Sequence, residues 1–209
     1  MERSAVHARA EHHLLVSPIF RSMTISAWIL RVSESKFNYW ATYVVDLTLM
    51  GFFLWWEIAH QGIGGAAIAA LFVVGVAVWS LTEYTFHRWV YHGGLAIARE
   101  GHERHHENPM ATIAMPWPVT PMLFLPPHYL IASRLGVPGF SAMLAGFFAG
   151  FIGYSFMHHS LHHYKLPFAW YRHLVSEHRI HHALPDSNFG VTMRFWDRVF
   201  GTVFTKQSS

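Results

Sequence analysis

Residues 62–82, GIGGAAIAALFVVGVAVWSLT, carry no Asp, Glu, Lys or Arg, and a helix needs roughly 20 mainly apolar residues to cross the hydrocarbon of a bilayer. This run predicts a membrane-spanning helix. Residues 137–157, VPGFSAMLAGFFAGFIGYSFM, are equally free of charge and predict a second one. Their small residues Ala142, Ala145, Gly146, Ala149, Gly150 and Gly153 would let a neighbouring helix approach closely. Residues 39–56 read as a third span despite Asp46, an acid that is costly at that depth and is expected to face protein. Residues 110–133 are apolar but broken by Pro116, Pro118, Pro121, Pro126 and Pro127. They predict a fourth span that is kinked or re-entrant, because irregular backbone survives in lipid only when protein or water covers it.

The composition of the 209 residues agrees with lipid as the solvent: 52% are hydrophobic and 13% charged, the latter about half the usual share of a soluble protein. There is no cysteine, which excludes disulfides, thiolate metal sites and a cysteine nucleophile. The net charge of +3, without dense Lys/Arg runs interleaved with aromatics, excludes a nucleic-acid partner. No linker or repeat divides the chain, so residues 1–209 are expected to be one domain. Residues 1–36 hold Arg3, Arg9, Arg21, Arg31 and Lys36 with only short apolar patches between them, and so lack a signal-peptide core; within them, residues 22–30 fit a short helix lying on the membrane surface.

Four crossings would leave only the connections 57–61 and 134–136 on one side, with just Arg134 of the 15 Lys and Arg. The positive-inside rule then places the termini and long loops in the cytoplasm. The expectation is an all-α integral membrane protein: an N-terminal interfacial segment (1–37), membrane spans (38–157) and a C-terminal cytosolic helical cap (158–209).

Histidine is the anomaly, with 18 residues. The dense groups are His87-x4-His92, His102-x2-His105-His106, His158-x3-His162 and His178-x2-His181-His182, and the sidedness puts all of them on the cytoplasmic face. Residues three and four apart share one helix face, so each His-x2-His-His is expected to present three imidazoles in one direction. The five-residue step from His87 to His92 turns about 140° on an α-helix, so this pair should straddle a helix end or reach the site from its flank. The lone His7, His12, His13, His60 and His128 read as surface or packing residues. His159, His163 and His173 lie beside the clusters but outside their spacing, and suit packing or outer-sphere roles. The remaining ten exceed one metal, since catalytic zinc takes about three protein ligands. That count argues against reading His102-Glu103-x-x-His106 as a zinc protease motif with Glu103 as base. Imidazole suits iron, copper, nickel and zinc alike, so the ligands alone do not choose the metal.

The four clusters in this order, with GYSFMHHSLHHY at the end of the last span and NFGVTMRFWDRVFGT at residues 188–202, resemble the fatty acid hydroxylase and sterol desaturase superfamily over roughly residues 80–205. The resemblance implies that His87, His92, His102, His105, His106, His158, His162, His178, His181 and His182 hold two iron ions. It also implies that O2 is a co-substrate, that an unactivated C–H bond of a lipid is hydroxylated or desaturated, and that zinc can replace iron on purification. No fused cytochrome b5 domain is recognised in the chain, so electrons are expected from a separate cytochrome b5, ferredoxin or reductase. A fatty acyl chain is the expected substrate, given the proline-rich segment MATIAMPWPVTPMLFLPP. The short interval between His92 and His102 and the stretch HRWVYHG are also similar to carotenoid hydroxylases, so a carotenoid or sterol remains an alternative. An intramembrane zinc protease and a metal carrier are the alternatives of another class.

A ligating histidine usually gives its other N–H to a carboxylate or carbonyl. By position Glu83, Glu103, Glu107, Glu177 and Asp197 are the carboxylate candidates, with His159, His163 and His173 beside them. Trp89, Trp117, Trp170 and Trp196 are candidates for lining the path of the lipid chain or for anchoring the interface. The bacterial inner membrane is expected rather than the endoplasmic reticulum.

Overall fold

The computed structural model describes residues 24–206; the expectations placed on Arg3, Arg9, Arg21, His7, His12 and His13 lie outside the described residues. In chain order the helices are α1 (Ile25–Ser33), α2 (Lys36–His60), α3 (Gly65–Thr85), α4 (Ala96–Glu107), α5 (Val119–His128), α6 (Phe140–His163), α7 (Ala169–Ala183) and α8 (Phe195–Val199). Two π-helical segments extend α3 and α5, at Phe86–Gly94 and Tyr129–Arg134.

Three helical stretches are long and apolar enough to cross a membrane: Lys36–His60, Gly65–Gly94 and Phe140–His163. The second has a mean hydropathy of 2.1 yet buries only 6% of its most apolar stretch inside the protein. A surface of that length and composition belongs against lipid rather than water. The core lies where α2 and α3 pack on α6, around the fully buried Phe53 and Phe148 with Leu49, Leu144 and Ala145. Contact between α3 and α6 is backbone to backbone. A Cβ on Gly75 would lie 2.0 Å from the Met143 carbonyl oxygen, and one on Gly146 would lie 1.9 Å from that of Phe72. Gly146 and Gly150 thus act as their composition predicts, whereas Gly153 faces open space.

The α6 N-terminus is capped from another helix. Both carboxylate oxygens of the fully buried Glu57 accept backbone N–H groups there, from Gly139 at 2.8 Å and Ala142 at 3.2 Å. A buried anion is tolerable where a helix N-terminus meets it with free donors.

The proline-rich segment is not one long helix. It runs parallel to α2, with Asn38 bonded to the backbone of Ala114, Met115 and Trp117 at one end. Near the other end His128 packs among Phe52, Phe53 and Trp56, and Gln61 donates to the Ala132 carbonyl. Pro126 and Pro127 have no N–H to give to the preceding turn, and the ladder beyond them is of the π type, ending in Leu135 N–H to the Leu130 carbonyl at 2.9 Å. Asp46 is buried beside α2's neighbours as expected, and its Oδ1 has no hydrogen-bond partner. The short helix expected at 22–30 overlaps α1, which Thr24 caps and which Arg104 of α4 ties down by bonding Glu34 at 2.7 Å; residues 22 and 23 lie outside the described residues.

Candidate metal centre

Four structural pieces meet at one end of the bundle: the π segment Phe86–Gly94, α4, the last turns of α6, and α7. All ten clustered histidines gather there in two sets of five. One set is His87, His92, His102, His106 and His181; the other is His105, His158, His162, His178 and His182. Within each set one ring nitrogen per residue lies within 4.8 Å of all the others. The two sets adjoin, with the His106 and His182 rings stacked at 4.2 Å.

The grouping corrects one expectation. Each His-x2-His-His divides between the sets: His102 and His106 go one way and His105 the other, while His178 and His182 join one set and His181 the other. The reason is helical phase. Relative to residue i, residue i+3 is rotated about 60° to one side and i+4 about 40° to the other, so the adjacent last two histidines point about 100° apart. The His87–His92 step meets the expectation of a helix end, since the backbone turns non-helical at Gly93 just after His92, and the winding before it helps as well. A π-helix bonds i to i+5 and so stacks residues five apart; this segment carries both histidines, their rings 5.2 Å apart.

Ring-nitrogen separations test whether metal ions fit. Nε2 of His102 lies 3.1, 3.0 and 3.0 Å from those of His87, His92 and His106, and His92 and His181 are 3.1 Å apart. In the second set His178 lies 2.8 Å from His162 and 3.2 Å from His182. With metal–nitrogen bonds of about 2.1 Å, ligands at right angles sit about 3.0 Å apart and tetrahedral ones about 3.4 Å. Neighbouring nitrogens at the shorter spacing, in sets of five, suit a five- or six-coordinate ion better than a tetrahedral one. The buried Nε2 atoms of His105 and His158 have no hydrogen-bond partner in the protein, as a ligand atom should not.

Burial keeps these imidazoles in the neutral form that ligates metal. It pushes His106 down to about 4 and both His181 and His182 to about 3, with repulsion from neighbouring imidazoles adding to each. Tautomers are fixed from outside the site. The Nδ1–H of His87 donates to the Phe189 carbonyl, and that of His181 to the Ser187 carbonyl at 2.8 Å. A carbonyl only accepts, so in both residues Nε2 carries the lone pair.

Those carbonyls belong to a ribbon, residues 187–192, whose five successive N–H groups from Asn188 to Thr192 all have acceptors. Asn188 donates to the Thr202 carbonyl at 2.8 Å, Phe189 and Gly190 to the two oxygens of Asp197 at 2.8 and 2.9 Å, and Val191 and Thr192 to Glu83 Oε1 at 2.8 and 2.9 Å. Asn188 supplies the turn, at φ +54°, a region asparagine tolerates better than most residues. Its side chain donates to Glu177 and accepts from the Phe204 N–H, both at 2.8 Å. Glu83, Asp197 and Glu177 therefore act on the ribbon and not directly on any of the ten clustered histidines.

The other outer candidates lie elsewhere. Glu103 and Glu107 are exposed, and Glu103 pairs with Arg99 at 3.5 Å. His159 and His163 stack on each other at 4.1 Å, outside both sets. His173 lies 3.3 Å from Arg194 and 3.8 Å from Glu177. Trp89, Trp117 and Trp170 are exposed, and Trp196 donates to Ser80. Sequence reasoning missed the carbonyls of Phe189 and Ser187, because a backbone acceptor has no residue-type signature. It also missed Tyr91 and Tyr154, whose rings stack on His102 and His158 at 5.3 and 5.7 Å.

The family described as fatty acid hydroxylase matches residues 72–202. The dihydroceramide fatty acyl 2-hydroxylase FAH2 of Arabidopsis thaliana is 30% identical over 69% of this chain and 65% of its own length. The ceramide very long chain fatty acid hydroxylase scs7 of Schizosaccharomyces pombe is 33% identical over 69% of this chain and 45% of its own. The chain thus spans less than two thirds of these relatives. The solved structure described as full-length scs7p, with only its hydroxylase domain visible, superposes with a TM-score of 0.69 at 30% identity, over 85% of this chain and 70% of that one. With the family's match running over more than half of its length and through every histidine cluster, the chain belongs to the fatty acid hydroxylase family.

Proposed function

We propose that the protein is an O2-dependent membrane hydroxylase of lipid acyl chains, with two iron ions held by His87, His92, His102, His106 and His181 and by His105, His158, His162, His178 and His182. The observation that carries this reading is the pair of five-imidazole sets at one end of an apolar bundle. Bound iron would supply the redox chemistry for attacking an unactivated C–H bond. The chain's part is to hold the imidazoles neutral, fix their tautomers through the 187–192 ribbon, and admit a lipid from the membrane. Both relatives are named hydroxylases, which favours hydroxylation over desaturation, and the 2-hydroxylase in the name of the plant relative favours the second carbon of the acyl chain. Those names lend nothing to a carotenoid or sterol substrate. The zinc-protease alternative loses its base, since Glu103 is turned to solvent and paired with Arg99.

In this reading the segment 119–134 is the fourth crossing, the histidine end faces the cytoplasm, and a separate cytochrome b5, ferredoxin or reductase delivers electrons. The relatives named above come from a plant and a yeast, so the bacterial inner membrane finds no support there; the orientation is the part of that expectation we retain.

The test is lipid mass spectrometry on cells that supply ceramides, comparing the wild-type chain with His182→Ala. Acyl chains that gain one oxygen at carbon 2 only with the wild type are expected, with the variant still inserted in the membrane. Identical lipid profiles when a reductase is co-expressed, or a fully active variant, would overturn the reading.

A further inference from the structure

We propose that a basic pocket beside α7 binds the phosphate headgroup of an anionic phospholipid. The pocket has a volume of about 630 Å³ and lies between the segment that leaves α6 and one face of α7. Lys165, Arg172 and Arg179 line it together with Tyr164, Tyr171 and Ser176, and no carboxylate does. None of the three cations has an ion-pair partner among the described residues. Arg172 is instead aimed by a bond to the Pro167 carbonyl, and Tyr171 is fixed by donating to the Ser160 carbonyl. Two guanidinium forks and an ammonium around one hollow are a donor set for a phosphate group.

The surroundings choose a lipid as the source of that phosphate. The segment begins directly after α6, whose helix Phe140–His163 is a candidate membrane span, and Tyr164, Leu166, Phe168 and Trp170 along it are exposed, at 52, 39, 52 and 56%. Apolar and aromatic side chains alternating with Lys165 and Arg172 are the pattern of a surface at headgroup depth, with rings in the interface and cations at the phosphates. A free anion in solution would make no use of those rings. The inference stands on the pocket and its belt and does not depend on the hydroxylase reading or on bound metal.

Native mass spectrometry of the full chain in detergent tests it, titrating phosphatidylglycerol, phosphatidylcholine and inorganic phosphate in separate arms. The wild type should retain one phosphatidylglycerol about tenfold or more tightly than phosphatidylcholine, a conservative expectation for three interfacial cations. The triple variant Lys165→Gln, Arg172→Gln, Arg179→Gln should lose that preference, while Arg99→Gln with Arg198→Gln, two cations outside the pocket, should keep it. Equal retention of both lipids by the wild type, or an undiminished preference in the triple variant, would overturn the proposal. Tight retention of inorganic phosphate with no lipid preference would assign the pocket to a soluble anion instead and equally overturn it.

Discussion

Ten imidazoles crowded into one end of a bundle would repel as cations, so each must remain neutral and each must have a use for its lone pair. The division into two sets gives that use, and it makes ligand substitutions distinguishable. His181→Ala is expected to lower the metal content of the purified protein from two ions per chain toward one, as read by elemental analysis. His105→Ala should do the same through the other set. The double variant should retain close to none; retention of both ions by either single variant would sink the assignment. The ribbon adds a second test, because Asp197→Asn keeps size but cannot accept from both Phe189 and Gly190. One buried N–H is left unpaired, at about 1–3 kcal/mol, and the Phe189 carbonyl that holds His87 is loosened. Outer-sphere losses of this kind typically cost about 10–100-fold in metal affinity, so chelator competition should strip one ion at lower chelator concentration while the His105 set holds its own. That these ten histidines form clusters was legible from spacing, and the structure gathers them at one end of the bundle. Their division into sets was not, because a shared helical face is a coarse statement that hides the 100° between His105 and His106.

At the scale of elements, three of the four expected spans were legible because the hydrophobic requirement of a membrane acts on whole runs of residues. The π segment at Phe86–Gly94 was not, because nothing in FHRWVYHGG marks an i to i+5 ladder; only the otherwise awkward five-residue step between histidines hinted at it. Close packing of α3 on α6 was visible from the α6 side as a run of small residues, but its partner Gly75 sits alone in an otherwise unremarkable span. Gly146→Val tests this contact. The new Cβ would overlap the Phe72 carbonyl oxygen, the helices would have to part, and overpacking of this kind costs about 1–3 kcal/mol or more. A clear drop in thermal unfolding temperature in detergent is expected, with metal content falling as the α6 histidines shift. Gly153→Ala, with nothing within 4 Å of the added carbon, should unfold like the wild type.

At the scale of the molecule, the arrangement places nearly all charge and every clustered histidine at one end of the bundle, and leaves the other to short connections around Gln61 and Leu135. In the proposed reading that asymmetry orients the bundle by the positive-inside rule, since Arg134 is the lone Lys or Arg among the short connections. It also makes the proline-rich segment decisive: the histidine clusters before and after it sit together, so Leu135 reaches the far side only if residues 119–134 cross the bilayer. The chain has no cysteine, so single cysteines report directly. Gly64→Cys, Leu135→Cys and Lys206→Cys all fall on exposed positions. In sealed cells a membrane-impermeant maleimide should label the first two and spare the third, and opening the membrane should bring the third up to the level of the others. Labelling of Lys206→Cys alone would invert the orientation and place the metal centre outside. Protection of Leu135→Cys alongside Lys206→Cys would instead make the proline-rich segment re-entrant, and the contacts that run along α2 from Asn38 to Gln61 would then need another explanation.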